Sequence, residues 1–361
     1  MKKQVKIGVI GTGFARLTQI PAFLNCEDTQ VVSVASANLA NAEKTAAEFG
    51  IGHFTDNWRE TARREDIDLL SITTPPNLHH EMTLFALEHD KHVLCEKPMA
   101  MNTAEAEEMA LAARGKGLLA LIDHELRFLN GRQKAREMIR DGKIGKVFHF
   151  KQMFRNASRG KANIPWNWWS DIDAGGGALG AIGSHAIDGF HWFLDTEITD
   201  VFCFLKTNVK ERMDSEGIKR AVTADDETNI ILKFADSELT QDSSGTVSLS
   251  VVEAGKYDFN CKIFGTEGSI IVGESGELWF ARMGSNKWDE IKIDLGDTPP
   301  NTKVGGWSRG FMSFSKEIVS ALKEGRTQIP ESATFEDGVK VQKVLDACRE
   351  SDRSGEMTRI V

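Results

Sequence analysis

The sequence predicts a two-part α/β protein: an open parallel sheet flanked by helices, followed by an α/β (α+β) portion with a large, mainly antiparallel open sheet. Three observations carry this. Short apolar runs alternate with helix-like segments over the first 122 residues. A glycine-rich turn closes the first apolar run. After Asp123 the pattern changes to longer strands of alternating polarity, several joined by turn residues such as Gly265-Thr266-Glu267-Gly268. Strands alternating with helices argue for βαβ units, and right-handed crossovers then give an open, doubly wound domain.

The elements follow in order. Residues 5–10 are the first strand, and 14–24 carry a helical apolar pattern interrupted early by Pro21. Residues 31–35 are a second strand. A helix follows over 39–49, with Asn38 as N-cap and Gly50 as its stop. A third strand at 69–73 leads through Pro75-Pro76 into a helix over 79–88. A fourth strand at 92–95, a helix over 103–116 and a fifth strand at 118–122 complete the first half. The second half opens with a helix at 130–141 stopped by Gly142, and carries another at 179–193. Its strands are expected at 147–154, 201–209, 228–234, 246–252, 257–265, 268–272 and 278–281, with late helices at 311–324 and 335–351.

Composition narrows the class. Of 361 residues, 44 are Lys or Arg and 53 Asp or Glu, a formal charge of −9 that argues against a nucleic-acid partner. The five cysteines, Cys26, Cys95, Cys203, Cys261 and Cys348, are odd in number, widely spaced and without a CxxC pair. A disulfide framework or metal site is therefore not expected, and a reducing compartment is. The first strand begins too early for a signal peptide, and no apolar run approaches the ~18 residues of a membrane span, so a cytoplasmic protein without a membrane partner is expected.

Gly11-Thr12-Gly13-Phe14-Ala15-Arg16 follows a strand and opens a helix. Gly11 permits the tight turn, and Gly13 lets backbone approach a pyrophosphate at a helix N-terminus beside Phe14. This is the fingerprint of a Rossmann dinucleotide site, with Arg16 where the third glycine usually stands. The second strand ends at Ala35-Ser36-Ala37-Asn38, with no carboxylate to pair with the adenosine ribose and repel a 2′-phosphate. Ser36 can donate to the ribose or cap the next helix. The cofactor expected is NAD(P), with a slight lean to NADP. Residues 1–123 are then the NAD(P)-binding domain, and 124–361 the substrate-binding and oligomerisation domain.

Three further segments complete a pattern: Thr73-Thr74-Pro75-Pro76-Asn77-Leu78-His79-His80, Cys95-Glu96-Lys97-Pro98, and the glycine-led run from Gly175 to Gly183-Ser184-His185-Ala186-Ile187-Asp188. With the glycine-rich turn, they resemble the glucose–fructose oxidoreductase / inositol dehydrogenase / rhizopine catabolism (Gfo/Idh/MocA) family over nearly the whole chain. The resemblance implies an enzyme that oxidises or reduces a carbinol or carbonyl carbon on sugars, cyclitols or related polyols, with the nicotinamide between the domains. It implies that Lys97 is the catalytic or substrate-orienting lysine and that His185 is an acid/base or substrate ligand. In the family pattern an Asp stands one turn before the histidine, where this chain has Ala181. Either Lys97 and His185 suffice, or Asp188 contributes from the next turn, or hydride chemistry is altered.

The residues themselves carry a parallel reading. Lys97 lies just past the C-terminal end of a parallel strand, where ligands of open α/β sheets bind. A lysine with an ordinary pKa near 10.4 is a poor base at neutral pH, and burial or a nearby positive ring would make it a better one. Ala181, His185, Asp188 and Trp192 fall on one helix face. Trp166, Trp168 and Trp169, interleaved with Asn163 and Asn167, suit a sugar ring or pin a loop. Arg127 can reach an anionic or hydroxyl-rich substrate, or pin the interdomain hinge. Thr74, Pro75, Asn77, His79 and Glu96 are expected beside the cofactor, although His79 can instead only start its helix. A nucleotide-binding regulatory protein without turnover, or a reductase for an imine or dihydrodiol, are the competing readings. The open sheet predicts a homodimer or homotetramer.

Overall fold

The computed structural model describes residues 4–361 apart from positions 162, 256, 297, 299–301 and 303. The chain divides into two compact units: residues 1–129 with 296–339, and residues 130–295 with 340–361. A single boundary after residue 123 therefore misses that the late segment 296–339 belongs with the first unit. The reason is packing. Helix Gly306–Glu324 carries an apolar stripe whose Phe311 meets Phe23 edge-on at 5.4 Å, and whose Phe314 stacks on Phe128 at 4.4 Å. All four rings are buried, and each contributes about 1.5–3 kcal/mol by leaving water.

The first unit is built on β1 (Val5–Ile10), β2 (Thr29–Ala35), β3 (Phe54–Thr55), β4 (Leu69–Ile72), β5 (His92–Cys95) and β6 (Ala120–Ile122). They lie in the order β3-β2-β1-β4-β5-β6 and are all parallel. The short strand Ala333–Thr334 adds antiparallel to β6. Apolar clusters cover the sheet, which is why β1, β4 and β5 read as near-continuous apolar runs rather than alternating ones. Helix Leu39–Phe49 begins as expected: Asn38 accepts the Asn41 N–H at 3.2 Å, and Gly50 ends it in the left-handed conformation.

The segment expected as a helix over 14–24 opens with a π turn, Ala15–Gln19, before Ile20–Leu24. The Ile20 N–H reaches back to the Ala15 carbonyl. Pro21 has no N–H with which to continue an ordinary ladder, and the turn before it widens. Strand β3, helix Trp58–Arg63 and Ala333–Thr334 are too short to announce themselves by periodicity.

The second unit holds β7 (Val147–Arg155), β8 (Ile198–Lys206), β9 (Glu211–Met213), β10 (Lys219–Ala221), β11 (Glu227–Phe234), β12 (Thr240–Ser250), β13 (Asp258–Gly265), β14 (Gly268–Gly273), β15 (Leu278–Arg282) and β16 (Asp289–Ile291). Nine strands form one sheet in the order β16-β15-β14-β13-β7-β12-β11-β8 and Thr358–Arg359. Only the β7–β12 pair is parallel. β9 and β10 form a separate hairpin. Helix Ser184–Leu194 packs on the sheet through Phe190 and Phe193, both against Phe150 of β7. All five cysteines are buried thiols. Among the described residues, no helix is long and apolar enough to cross a membrane.

Candidate active site

In the first unit the strand order reverses at β1, so a crevice opens over the carboxyl ends of β1 and β4. Gly11 sits there with φ +101°, and a Cβ on it would lie 2.4 Å from the Thr73 carbonyl oxygen. The Thr73 hydroxyl donates back to the carbonyls of Ile10 and Gly11, at 3.1 and 3.0 Å. Gly13 is exposed at the helix start, and a Cβ on it would meet nothing within 4 Å. A bare backbone facing open space at a helix N-terminus is what a pyrophosphate needs, so these residues fit a dinucleotide. Phe14 is half-buried beside them. Arg16 turns outward to Glu48, at 2.5 Å, and leaves the crevice clear.

Ser36 is half-buried at the end of β2, and its oxygen accepts the Asn38 N–H at 3.4 Å. The helix cap itself is Asn38, so Ser36 is not needed for that role. Thr74 and Pro75 are half-buried and Asn77 exposed on the loop and 3₁₀ turn after β4. His79 corrects an expectation. It is fully buried, with Nε2 2.8 Å from the Thr74 carbonyl and Nδ1 3.0 Å from the Pro98 carbonyl, so no ring atom is left to line a ligand. It ties the loop after β4 to the loop after β5. Burial pulls its pKa below the usual histidine range.

Lys97 follows β5 and is half-buried, and the peptide it shares with Pro98 is cis. Its backbone N–H donates to Glu96 Oε2 at 3.2 Å. Glu96 and Asp123 are buried side by side, and both accept from Gln19 Nε2. Arg127 is buried within the same unit, its guanidinium 3.4 Å from the Glu331 carbonyl and 3.6 Å from Asp337 Oδ1. Those contacts describe a tether for residues 331–337 rather than a substrate arm.

In the second unit a π turn, Leu179–Gly183, runs into helix Ser184–Leu194. Ala181, His185 and Asp188 are all buried there, with His185 and Asp188 three apart on one helix face. Asp225 anchors this helix. Its Oδ2 accepts the Leu179 N–H at 2.9 Å and the Thr228 hydroxyl at 2.6 Å. A Cβ at Gly177 would fall 2.1 Å from Asp225 Oδ1, which explains the glycine there. Burial pushes Asp225 up to about 6. Trp166 uses its indole N–H on the Ala221 carbonyl at 2.9 Å, with Arg220 over its ring, so it pins the β9–β10 hairpin. Trp168 is half-buried, tilted 54° to Trp169.

Residues 5–124 match the oxidoreductase family with an NAD-binding Rossmann fold, and residues 132–271 match the GFO/IDH/MocA C-terminal domain. An uncharacterized oxidoreductase of Synechocystis sp. is 31% identical over 354 residues, spanning 96% of this chain and 93% of the relative. The chain belongs to the GFO/IDH/MocA family. It is an NAD-dependent oxidoreductase of that family. The levoglucosan dehydrogenase of Pseudarthrobacter phenanthrenivorans is 27% identical over 385 residues, covering 97% of this chain and 96% of that protein. A solved levoglucosan dehydrogenase in complex with NADH and levoglucosan superposes with a TM-score of 0.87 at 26% identity, covering 99% of this chain and all of that one.

Within this GFO/IDH/MocA chain, motif reading missed three polar residues: Gln19, Asp123 and Asp225. Gln19 lies three residues past the glycine-rich turn and Asp123 directly after β6, and neither carries a signature of its own. Asp225 is 40 residues from His185 in sequence, and only the fold brings it to that helix.

Proposed function

We propose that the protein is a dehydrogenase or reductase for a carbinol or carbonyl carbon on a sugar, cyclitol or related polyol, with Lys97 as its acid/base group. The observation that carries this is the setting of Lys97: just beyond β5, at the ligand-binding edge of the parallel sheet, with its backbone held by buried Glu96. The levoglucosan-dehydrogenase relatives support a carbohydrate substrate. Trp168, with Asn167 before it, is the part of the indole-rich segment suited to a sugar face.

The nicotinamide supplies the hydride acceptor when bound. Gly11 and Gly13 receive the dinucleotide at the helix N-terminus, and Lys97 Nζ takes or returns the hydroxyl proton. The residues at the end of β2 favour NADP slightly, since none is a carboxylate, whereas the NADH-bound relative favours NAD. Initial rates with both cofactors, on levoglucosan, aldoses and cyclitols, decide the preference. Lys97→Ala should lower turnover by about 10²–10⁴-fold while NADH fluorescence still reports binding. Unchanged turnover in that variant would refute the role of Lys97. Phe202, Phe204 and Ile231 share an exposed face of the nine-stranded sheet, with Ile231 directly opposite Phe202. This apolar face supports self-association as a dimer or tetramer. A monomeric mass by light scattering at micromolar protein would count against it.

A further inference from the structure

Behind Lys97 the first unit buries a polar cluster. Gln19 Nε2 donates to Glu96 Oε1 at 3.2 Å and to Asp123 Oδ2 at 2.7 Å. The Ser71 hydroxyl donates to Gln19 Oε1 at 2.6 Å, which fixes the amide so that its nitrogen faces the carboxyl groups. Gln19 is the last residue of the π turn, so the widened turn sets where this amide points. Glu96 and Asp123 thus meet at one amide nitrogen, which brings the two carboxyl groups together for a hydrogen bond between them. Asp123 Oδ1 is fully buried and receives no donor from the described residues. Two ionised carboxylates only accept, so a bond between them requires one proton.

The charges around the pair decide where that proton sits. Burial raises Asp123 well above the usual carboxylate range, and the negative charges of Glu125 and Glu96 raise it further. Burial raises Glu96 too, but the Lys97 ammonium and the Asp123 hydroxyl pull it back. Two further titratable groups face this cluster: the Cys95 thiol, which burial pushes up, and the His79 imidazole near Lys97, which burial pulls down.

We propose that Glu96 and Asp123 hold a single proton between them, and that Glu96 takes the ammonium proton of Lys97 so that the lysine can act as a base. This rests on the reading of Lys97 as the acid/base group. In the step, one N–H bond of Lys97 breaks and one O–H bond forms on Glu96. The lysine is left neutral, with a lone pair for the substrate hydroxyl proton. An ammonium beside a carboxylate becomes a neutral amine beside a neutral acid, and burial favours the uncharged arrangement. No proton has to reach bulk water before the substrate reacts. In the reductive direction the same proton returns to Lys97 from Glu96.

Glu96→Gln in the full chain tests the transfer, because the amide oxygen still accepts hydrogen bonds but no longer takes a proton. With the substrate found in the rate panel, kcat for oxidation at neutral pH should fall by about 10²-fold and recover as the pH rises toward the lysine range. A Glu96 that serves only as an ion-pair partner predicts the opposite sign. Losing its charge would ease deprotonation of Lys97 and move the acid limb to lower pH, and that result overturns the transfer, as does an unchanged profile. Infrared difference spectra test the shared proton without turnover. Wild-type protein at neutral pH should show the carbonyl stretch of a protonated carboxyl that disappears in Asp123→Asn, whose amide N–H can still donate to Glu96. No such band in the wild type overturns the shared proton. Full turnover in Lys97→Ala would instead refute the acid/base reading on which the step depends.

Discussion

Gly11 and Gly13 stand two residues apart in one motif, yet a methyl group on each should act on different properties. At Gly11 the new Cβ would lie 2.4 Å from the Thr73 carbonyl oxygen and 2.6 Å from its carbon, both backbone atoms of the neighbouring loop. The backbone there also has φ +101°. The conformational penalty is about 1–2 kcal/mol and overpacking adds about 1–3, so Gly11→Ala should cost roughly 2–5 kcal/mol. At Gly13 the new methyl meets nothing within 4 Å and extends a helix start. Gly13→Ala should leave stability unchanged or raise it by up to about 1 kcal/mol, through the unfolded chain. Its cost falls on the dinucleotide, whose pyrophosphate must approach the bare backbone. A loss of about tenfold or more in NADH affinity corresponds to about 1.4 kcal/mol. Urea midpoints at constant slope read the first effect, and NADH fluorescence titration reads the second. A Gly13→Ala variant that binds NADH like the wild type would refute this account of the crevice. So would a Gly11→Ala variant with a wild-type midpoint.

Two further outcomes follow from the second unit. Asp225 sits at about 6 when folded because of burial, above its ordinary value. Its contribution is therefore fully present below about pH 4 and is lost as the pH rises through about 6. Asp225→Asn should remove that loss, so the variant gains on the wild type by about 2–3 kcal/mol between pH 4 and pH 8 in urea unfolding. A constant difference across that window would refute the assignment. Trp166→Phe deletes the 2.9 Å bond to the Ala221 carbonyl and should cost about 1 kcal/mol. Amide exchange should quicken in the β9–β10 hairpin while the KM for the substrate found in the rate panel stays put; a raised KM with unchanged exchange would return Trp166 to the substrate site.

Long periodic elements were legible in the sequence, and short ones were not. Asn38, Gly50 and the apolar runs of β1, β2, β4 and β5 carry local signals strong enough to survive tertiary packing. β3, β9, β10 and β16 have two or three residues each, and two residues have no period. β12 begins earlier than alternation suggests because Gly245 interrupts the pattern. It is tolerated there because a Cβ would press on Leu232 and Phe234 across the sheet. The late helix could not be assigned to its unit from sequence at all, since Phe311 and Phe314 find Phe23 and Phe128 only through the chain's return.

The site divides along the same line. Gly11, Gly13 and Lys97 are legible because backbone constraints tie them to motifs of fixed spacing. His79 and Arg127 have the same residue types a ligand would want, but their polar atoms are turned onto carbonyls and, for Arg127, a carboxylate of the chain itself. Residue type alone cannot separate those uses; only the direction of the side chain does. Gln19 is the opposite case. Nothing in Leu17-Thr18-Gln19 marks a functional residue, yet the π turn carries its amide onto both buried carboxyl groups. A regular α-helix through these residues would rotate position 19 relative to the strand ends. Pro21 is thus as much a determinant of the site as the glycines, because it forbids the N–H that a regular ladder would use.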